Sequence, residues 1–262
     1  MDMFELPPTS SQEFVIAAGV CGRIAAAVVT GTLPILPGAS VRIRLTLVFA
    51  LAVVAVPMAL AVHHADGVQP VGPLLPVLAA ELLVGLVMGT AAAAVLMATA
   101  WAGSILGSVS GLSWADDFDP TAGSETAGIA RLAWWVGLAA FFTAGGQLAV
   151  VGGLIDSVRN VPIGTAFVGA PQEWLITLAV TTPAVAVSLA VVLAIPALVA
   201  VVAFHLASSI CLRTIPFAAG PGLLQGLASL VLLVSLWLGA EAWAGSSGLM
   251  MLRSIDACFG ER

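Results

Sequence analysis

The stretch WAGSILGSVSGLSWADDFDPTAGSET, residues 101–126, decides how the rest of the chain is read. It lies between two strongly apolar blocks and holds four of the fourteen acidic residues, three of them being Asp116, Asp117 and Asp119. Its first half repeats a glycine every fourth position, at Gly103, Gly107 and Gly111. That spacing lets helix backbones approach closely within a membrane. Its second half stops a helix at Asp119-Pro120 and again at Gly123, because proline lacks an amide hydrogen and glycine frees the backbone. The expectation is a close-packed helix ending in a polar, shaped loop, with the remaining chain as hydrophobic scaffold.

Composition says what surrounds that loop. Of 262 residues, 60% are hydrophobic and 8% charged, and the mean hydropathy is +1.12. Soluble domains carry roughly 25% charged residues, so a solvated surface cannot be covered here, and the membrane class follows. The net charge of -6, without a basic run, gives no reason to expect nucleic acid. Cys21, Cys211 and Cys258 stand far apart with no CxxC, so neither a disulfide framework nor a zinc or iron–sulfur site is expected. The start, MDMFELPPTSSQEF, is acidic and lacks the basic region of a cleaved signal peptide, so the first apolar block is expected to be kept.

Six principal hydrophobic blocks predict an all-α, multi-pass helical membrane protein, organised as a single domain over residues 1–262. After a tail over residues 1–12 with capping serines, the first block starts near Glu13 and carries Arg23 in its middle. A central arginine on a lone lipid-facing helix costs about 2.5–3.5 kcal/mol. Arg23 is therefore expected to face protein or a wet cavity, with snorkelling to an interface as the alternative. The second block, residues 43–62, gives one crossing and ends at His63, His64 and Asp66, read as a solvated loop.

The third block, residues 74–111, would reach about 57 Å if straight, nearly twice the roughly 30 Å hydrocarbon layer. It must tilt, break, or project beyond lipid within an assembly. Glu81 near its start has three readings: beside Arg23, beside Arg131, or at the headgroup level. The fourth block, residues 129–158, opens with Arg131 and the tryptophans Trp134-Trp135, read as interface anchors, and is punctuated by Gly145-Gly146. The fifth, residues 174–209, again exceeds one crossing, and its Pro183 and Pro196 either bend one helix or separate two arms. His205 there is isolated, and the sixth block, residues 223–243, crosses once. Arg42, Arg44, Arg131 and Arg213 against Arg159, Arg253 and Arg262 is too even a split to orient the chain.

Catalytic chemistry is missing from this inventory. Ser246-Ser247-Gly248 has no nucleophile-elbow context. With no lysine, there is no phosphate-cradling loop of the usual kind. The aspartates at 116, 117 and 119 do not match a calcium loop. No catalytic residue, cofactor or metal is expected. A small-solute secondary transporter or permease is the rival reading, but such proteins carry intramembrane ionisable residues and internal duplication. Only Arg23, Glu81 and His205 qualify, and no repeat is visible.

The central motif resembles the signature region of the FliR family of flagellar biosynthetic proteins and its injectisome counterpart, the export-gate subunit of type III secretion. The matching residues are Gly111-Leu112-Ser113-Trp114, Phe118-Asp119-Pro120, Gly123 and Ala130-Arg131-Leu132. LPILPGASVRIRLTLVFAL (residues 33–51), Glu81-Leu82-Leu83-Val84-Gly85, Asp156-Ser157 with Pro162-Ile163-Gly164, and Arg213-Thr214-Ile215-Pro216 follow the family in order. Asp116-Asp117 and the absence of an asparagine after Pro216 depart from its pattern.

The resemblance implies a structural pore subunit of the flagellar export gate, or of the injectisome version, and no enzyme. It implies assembly in the bacterial inner membrane, at the flagellar basal body, with FliP and FliQ homologues. FlhB and FlhA homologues would join them, and unfolded exported proteins would pass through. It also implies a pore plug over about residues 107–126, with Ser110, Gly111, Trp114, Phe118, Asp119, Pro120 and Gly123 matching its pattern. The residues read directly add Gly103 and Gly107 as helix-packing positions and Arg23 and Glu81 as intramembrane charges.

Overall fold

Within hydrocarbon each backbone amide must find its partner inside the segment, which favours helices. In the computed structural model, which describes residues 8–32, 39–66, 73–111, 128–165, 170–214 and 221–259, every regular element is an α helix. They are α1 (Pro8–Thr32), α2 (Val41–Asp66), α3 (Leu74–Ser110), α4 (Gly128–Thr143), α5 (Gly146–Asn160), α6 (Ala170–Thr214) and α7 (Pro221–Phe259). Four of them contain stretches long and apolar enough to cross a membrane: Gln12–Thr32, Val41–Ala65, Leu74–Ser110 and Ile176–Cys211. Taking α4 and α5 as one bent span gives up to five. In α7 the apolar part is the shorter Gly222–Leu238. The chain is thus all-α and multi-pass among its described residues.

Several boundaries differ from the sequence expectation. Helix α1 begins earlier, at Pro8, a residue whose fixed φ and missing N–H suit a first helical turn. The fourth block is two helices. Gly145 adopts φ +80°, its N–H donates to the Phe142 carbonyl at 3.1 Å, and Ala144 N–H donates to Ala140 at 3.0 Å. This closes α4 with a left-handed cap that only glycine enters cheaply. At Gly146 the reason is space, since an added Cβ would lie 2.1 Å from the Phe141 ring.

The two over-long blocks, by contrast, are unbroken. At 1.5 Å per residue α3, with 37 residues, measures about 56 Å, and α6, with 45, about 68 Å. Pro183 lies inside α6, and beside it the hydroxyls of Thr181 and Thr182 donate to the carbonyls of Thr177 and Leu178, at 2.8 and 2.6 Å. Neither is the acceptor that Pro183 deprives of its N–H, which is the Ala179 carbonyl four residues back.

The histidine pair also differs from expectation. Both His63 and His64 lie in the last turns of α2, and His63 is buried. Its Nδ1 sits 2.9 Å from the Ala59 carbonyl and its Nε2 3.4 Å from that of Ile163. The apolar packing of α2 continues past the hydrophobic run, so these residues are helix rather than solvated loop. His64 is the exposed one, with Nε2 4.0 Å from Glu13.

Two compact units are distinguishable, with boundaries inside α3 and α6. The first comprises Met1–Ala94, Gln147–Pro183 and Ile255–Arg262. Its core joins Val20, Ile24 and Val28 of α1, Ala55 and Ala59 of α2, Val84 and Met88 of α3, and Leu154 and Val158 of α5. The second comprises Val95–Gly146 and Ala184–Ser254. There Leu106, Phe141, Leu232 and Met251 are buried.

Candidate functional site

In the first unit the site is built around one guanidinium. Arg23 stands in the body of α1 and Glu81 in the first turns of α3, and both side chains are 0% exposed. Arg23 Nε donates to Glu81 Oε2 at 2.6 Å, and Nη2 lies 2.5 Å from the same oxygen. Nη1 donates to the Ser157 carbonyl at 2.8 Å and Nη2 to the Val161 carbonyl at 3.0 Å. Ser157 lies in the last turn of α5 and Val161 just past its end, where a helix concentrates negative partial charge; the Ser157 carbonyl also accepts the Val161 N–H at 2.9 Å. A buried arginine is therefore matched by a carboxylate on one side and a helix C-terminus on the other.

The second oxygen of Glu81 is used as well. Oε1 accepts the N–H of Gly164 at 3.0 Å. Gly164 has φ +85° and sits in a turn closed by Thr165 N–H to the Pro162 carbonyl, 3.1 Å. That turn needs a residue at ease with positive φ in its third position. The pair thus ties α1, α3 and the chain leaving α5 together, with His63 of α2 against the neighbouring Ile163 carbonyl. Of the three readings open for Glu81, the structure has the one beside Arg23.

Close helix approach surrounds this pair. An added Cβ at Gly85 would meet the Arg23 carbonyl oxygen at 2.0 Å, and one at Gly89 would meet Thr30 Oγ1 at 2.0 Å. The four-residue glycine spacing on α3 is where α1 rests.

In the second unit the described part of the 107–126 segment ends at Gly111. Trp114, Phe118, Asp119, Pro120 and Gly123 lie outside the described residues, as do Asp116 and Asp117. Ser110 is buried, its hydroxyl donating to the Gly107 carbonyl at 3.2 Å. Gly107 is buried too. Gly103 packs on α4, where an added Cβ would meet Ala130 Cα and Ala133 Cβ, each at 2.7 Å. Gly111 has φ +75° and ends α3. Its carbonyl accepts a hydrogen bond from Gln225 Nε2 of α7 at 2.9 Å.

Sequence reading passed over Gln225. Its signal was available: an amide side chain in the apolar run PGLLQGLASL, residues 221–230. The second unit also holds a cavity of about 250 Å³, wholly apolar, lined among others by Leu106, Leu132, Val136, Leu233 and Trp237. Among the described residues no group of three or more His, Cys, Asp or Glu could hold a metal ion.

The family model described as bacterial export proteins, family 1, matches residues 14–251. That interval takes in all of α2 to α6, most of α1 and α7, the Arg23–Glu81 pair and the whole 107–126 segment. No individual curated protein matches the chain.

Proposed function

Because the chain belongs to bacterial export proteins, family 1, the FliR/SctT-like export-gate family, we propose that it is a structural pore-forming subunit of the flagellar type III protein export gate. Family identity and the membrane-length helices support an inner-membrane location; the flagellar basal body is the finer placement. In this reading the chain assembles with FliP and FliQ homologues. FlhB and FlhA homologues complete the apparatus that moves unfolded flagellar proteins outward. The chain contributes walls and a closure, and no bond is made or broken by its side chains.

The single observation that carries the reading is the family match across residues 14–251. The closure is assigned to residues 107–126, working as part of one domain. Trp114 and Phe118 supply bulk that excludes water and ions, while Pro120 and Gly123 let the segment turn. Gly103 and Gly107 allow the helix leading into it to pack closely. All six principal hydrophobic blocks serve as helices of the assembly. Their apolar faces, long on α3 and α6, are covered by partner subunits where they pass beyond lipid.

Extraction of the tagged chain from its native membrane in mild detergent tests the assembly. The expected result is one large complex containing two small helical subunits. A lone, monodisperse chain that moves a small solute in liposomes would replace the gate with a permease.

A further inference from the structure

Helix α2 holds the least buried of the four membrane-length stretches, and its two sides differ in kind. The inward side carries small residues, Ala52, Ala55 and Ala59, buried in the core of the first unit. The outward side carries bulky ones, with Leu45, Leu47, Phe49, Val53 and Val54 exposed. Interfaces between membrane helices are enriched in small residues and in polar side chains that hydrogen-bond across. On α2 the small residues already face the chain's own core. Between Arg44 and His63 the only polar side chain is Thr46, and its hydroxyl donates to the Arg42 carbonyl of the same helix at 2.8 Å. The outward side thus presents bulk, and no hydrogen-bonding group for a neighbouring helix to engage.

Polar groups bound this face at both ends. Arg42 is exposed at the start of α2. At the other end His64 is exposed, and its Nε2 lies 4.0 Å from Glu13 of α1, which packs along α2. Glu13 and His64 therefore mark one level on two helices. At 1.5 Å per residue, Arg42 and His64 stand about 33 Å apart, against a hydrocarbon layer of roughly 30 Å. Helices α3 and α6 are too long for such a match.

We propose that the outward side of α2 is a lipid-contact surface, covered by the acyl chains of bilayer phospholipids. Arg42 stands at one headgroup layer, where a guanidinium meets phosphate oxygens of opposite charge, and the Glu13–His64 level stands at the other. No partner subunit seats on this side, and α2 sets the depth at which the chain sits in the bilayer. No residue of the 107–126 segment takes part.

The test places a nitroxide spin label at one position at a time, through Ile43→Cys, Ala50→Cys, Val53→Cys or Ala61→Cys, with Cys21, Cys211 and Cys258 replaced by serine. The chain is extracted with whatever subunits accompany it and reconstituted into vesicles of phosphatidylethanolamine and phosphatidylglycerol. Collisions with oxygen, which concentrates in hydrocarbon, are compared with collisions with a water-soluble nickel chelate. All four variants are expected at the wild-type yield. Oxygen should prevail most at Val53, about 14 Å deeper than Ile43 and about 11 Å deeper than Ala61 at the usual tilt.

A profile without that central maximum would overturn the lipid surface. So would labels at Ala50 and Val53 shielded from both reagents, which would put a partner subunit on this side. Loss of recovered chain in Ala50→Cys and Val53→Cys would contradict it as well, since a lipid-facing position tolerates such a change. The same labels serve whether the chain extracts alone or in a complex, so a failure here is distinguishable from a failure of the export-gate reading.

Discussion

Arg23 shows how much a single residue can organise when lipid forbids loose charge. Each nitrogen of its guanidinium has an acceptor, and the acceptors come from Glu81 and from the end of α5. Removing one partner of a buried pair strands the other, at about 3–5 kcal/mol. Arg23→Met is therefore expected to lower the yield and thermal stability of folded chain in detergent. The double change Arg23→Met with Glu81→Leu should lose less than either single change, because no charge is left uncompensated. Exchanging the two residues should not rescue, since a carboxylate at position 23 would face the carbonyls of Ser157 and Val161. Recovery by the exchange would show that the pair alone matters and the helix end does not.

The inward placement of Arg23 was legible from cost alone, because lipid makes an unpaired arginine expensive. Its partner was one of three open readings for Glu81, for a physical reason. Glu81 is 58 positions away, and two further acceptors are main-chain oxygens, which carry no side-chain signature. His63 was misjudged for a related reason: a polar residue at the end of an apolar run looks solvated until a neighbouring turn covers it. Gln225 shows the same limit, since the group it meets is a backbone carbonyl.

At the level of helices, glycine spacing proved informative, but only beside a measured neighbour. Gly89 on α3 faces α1 so closely that an added Cβ would lie 2.0 Å from Thr30 Oγ1 and 2.5 Å from the Ala27 carbonyl. Gly152 on α5 has nothing within 4 Å. Gly89→Leu is expected to force α1 from α3 and abolish recovery of folded chain. Gly152→Ala should be neutral or slightly stabilising, since alanine is the better helix former by about 1 kcal/mol. Comparable thermal stability in the two variants would contradict this packing. At the break between α4 and α5, Gly145→Ala has room but the wrong backbone, and should cost about 1–2 kcal/mol in the same assay.

The glycine pair at 145–146 was visible in sequence as punctuation, whereas its power to end a helix depended on the left-handed cap and on the Phe141 ring. Pro183 and Pro196 carried the opposite lesson. They looked like equally strong breakers, and α6 runs through both.

For the molecule as a whole, composition identified the solvent before any element was drawn. Helix α2 leaves Val41, Ile43, Leu45, Phe49 and Val53 exposed, an apolar face that water would not tolerate and that lipid or partner helices must cover. Family membership and the helical class were thus legible from 8% charge and one motif. The closure proposed for that motif rests on residue types alone, the bulk of Trp114 and Phe118 and the helix-breaking Pro120 and Gly123, all outside the described residues. The end of α3 at Gly111, by contrast, meets Gln225 of α7, a contact 114 positions away that no local pattern announces.

The most direct measurement is a density map of the sealed native complex, read at Trp114 and Phe118. Both rings are expected within the axial opening, between the walls that this chain and its partners form. Rings turned outward into lipid, with the opening closed by other residues, would contradict the assignment of residues 107–126 as the plug.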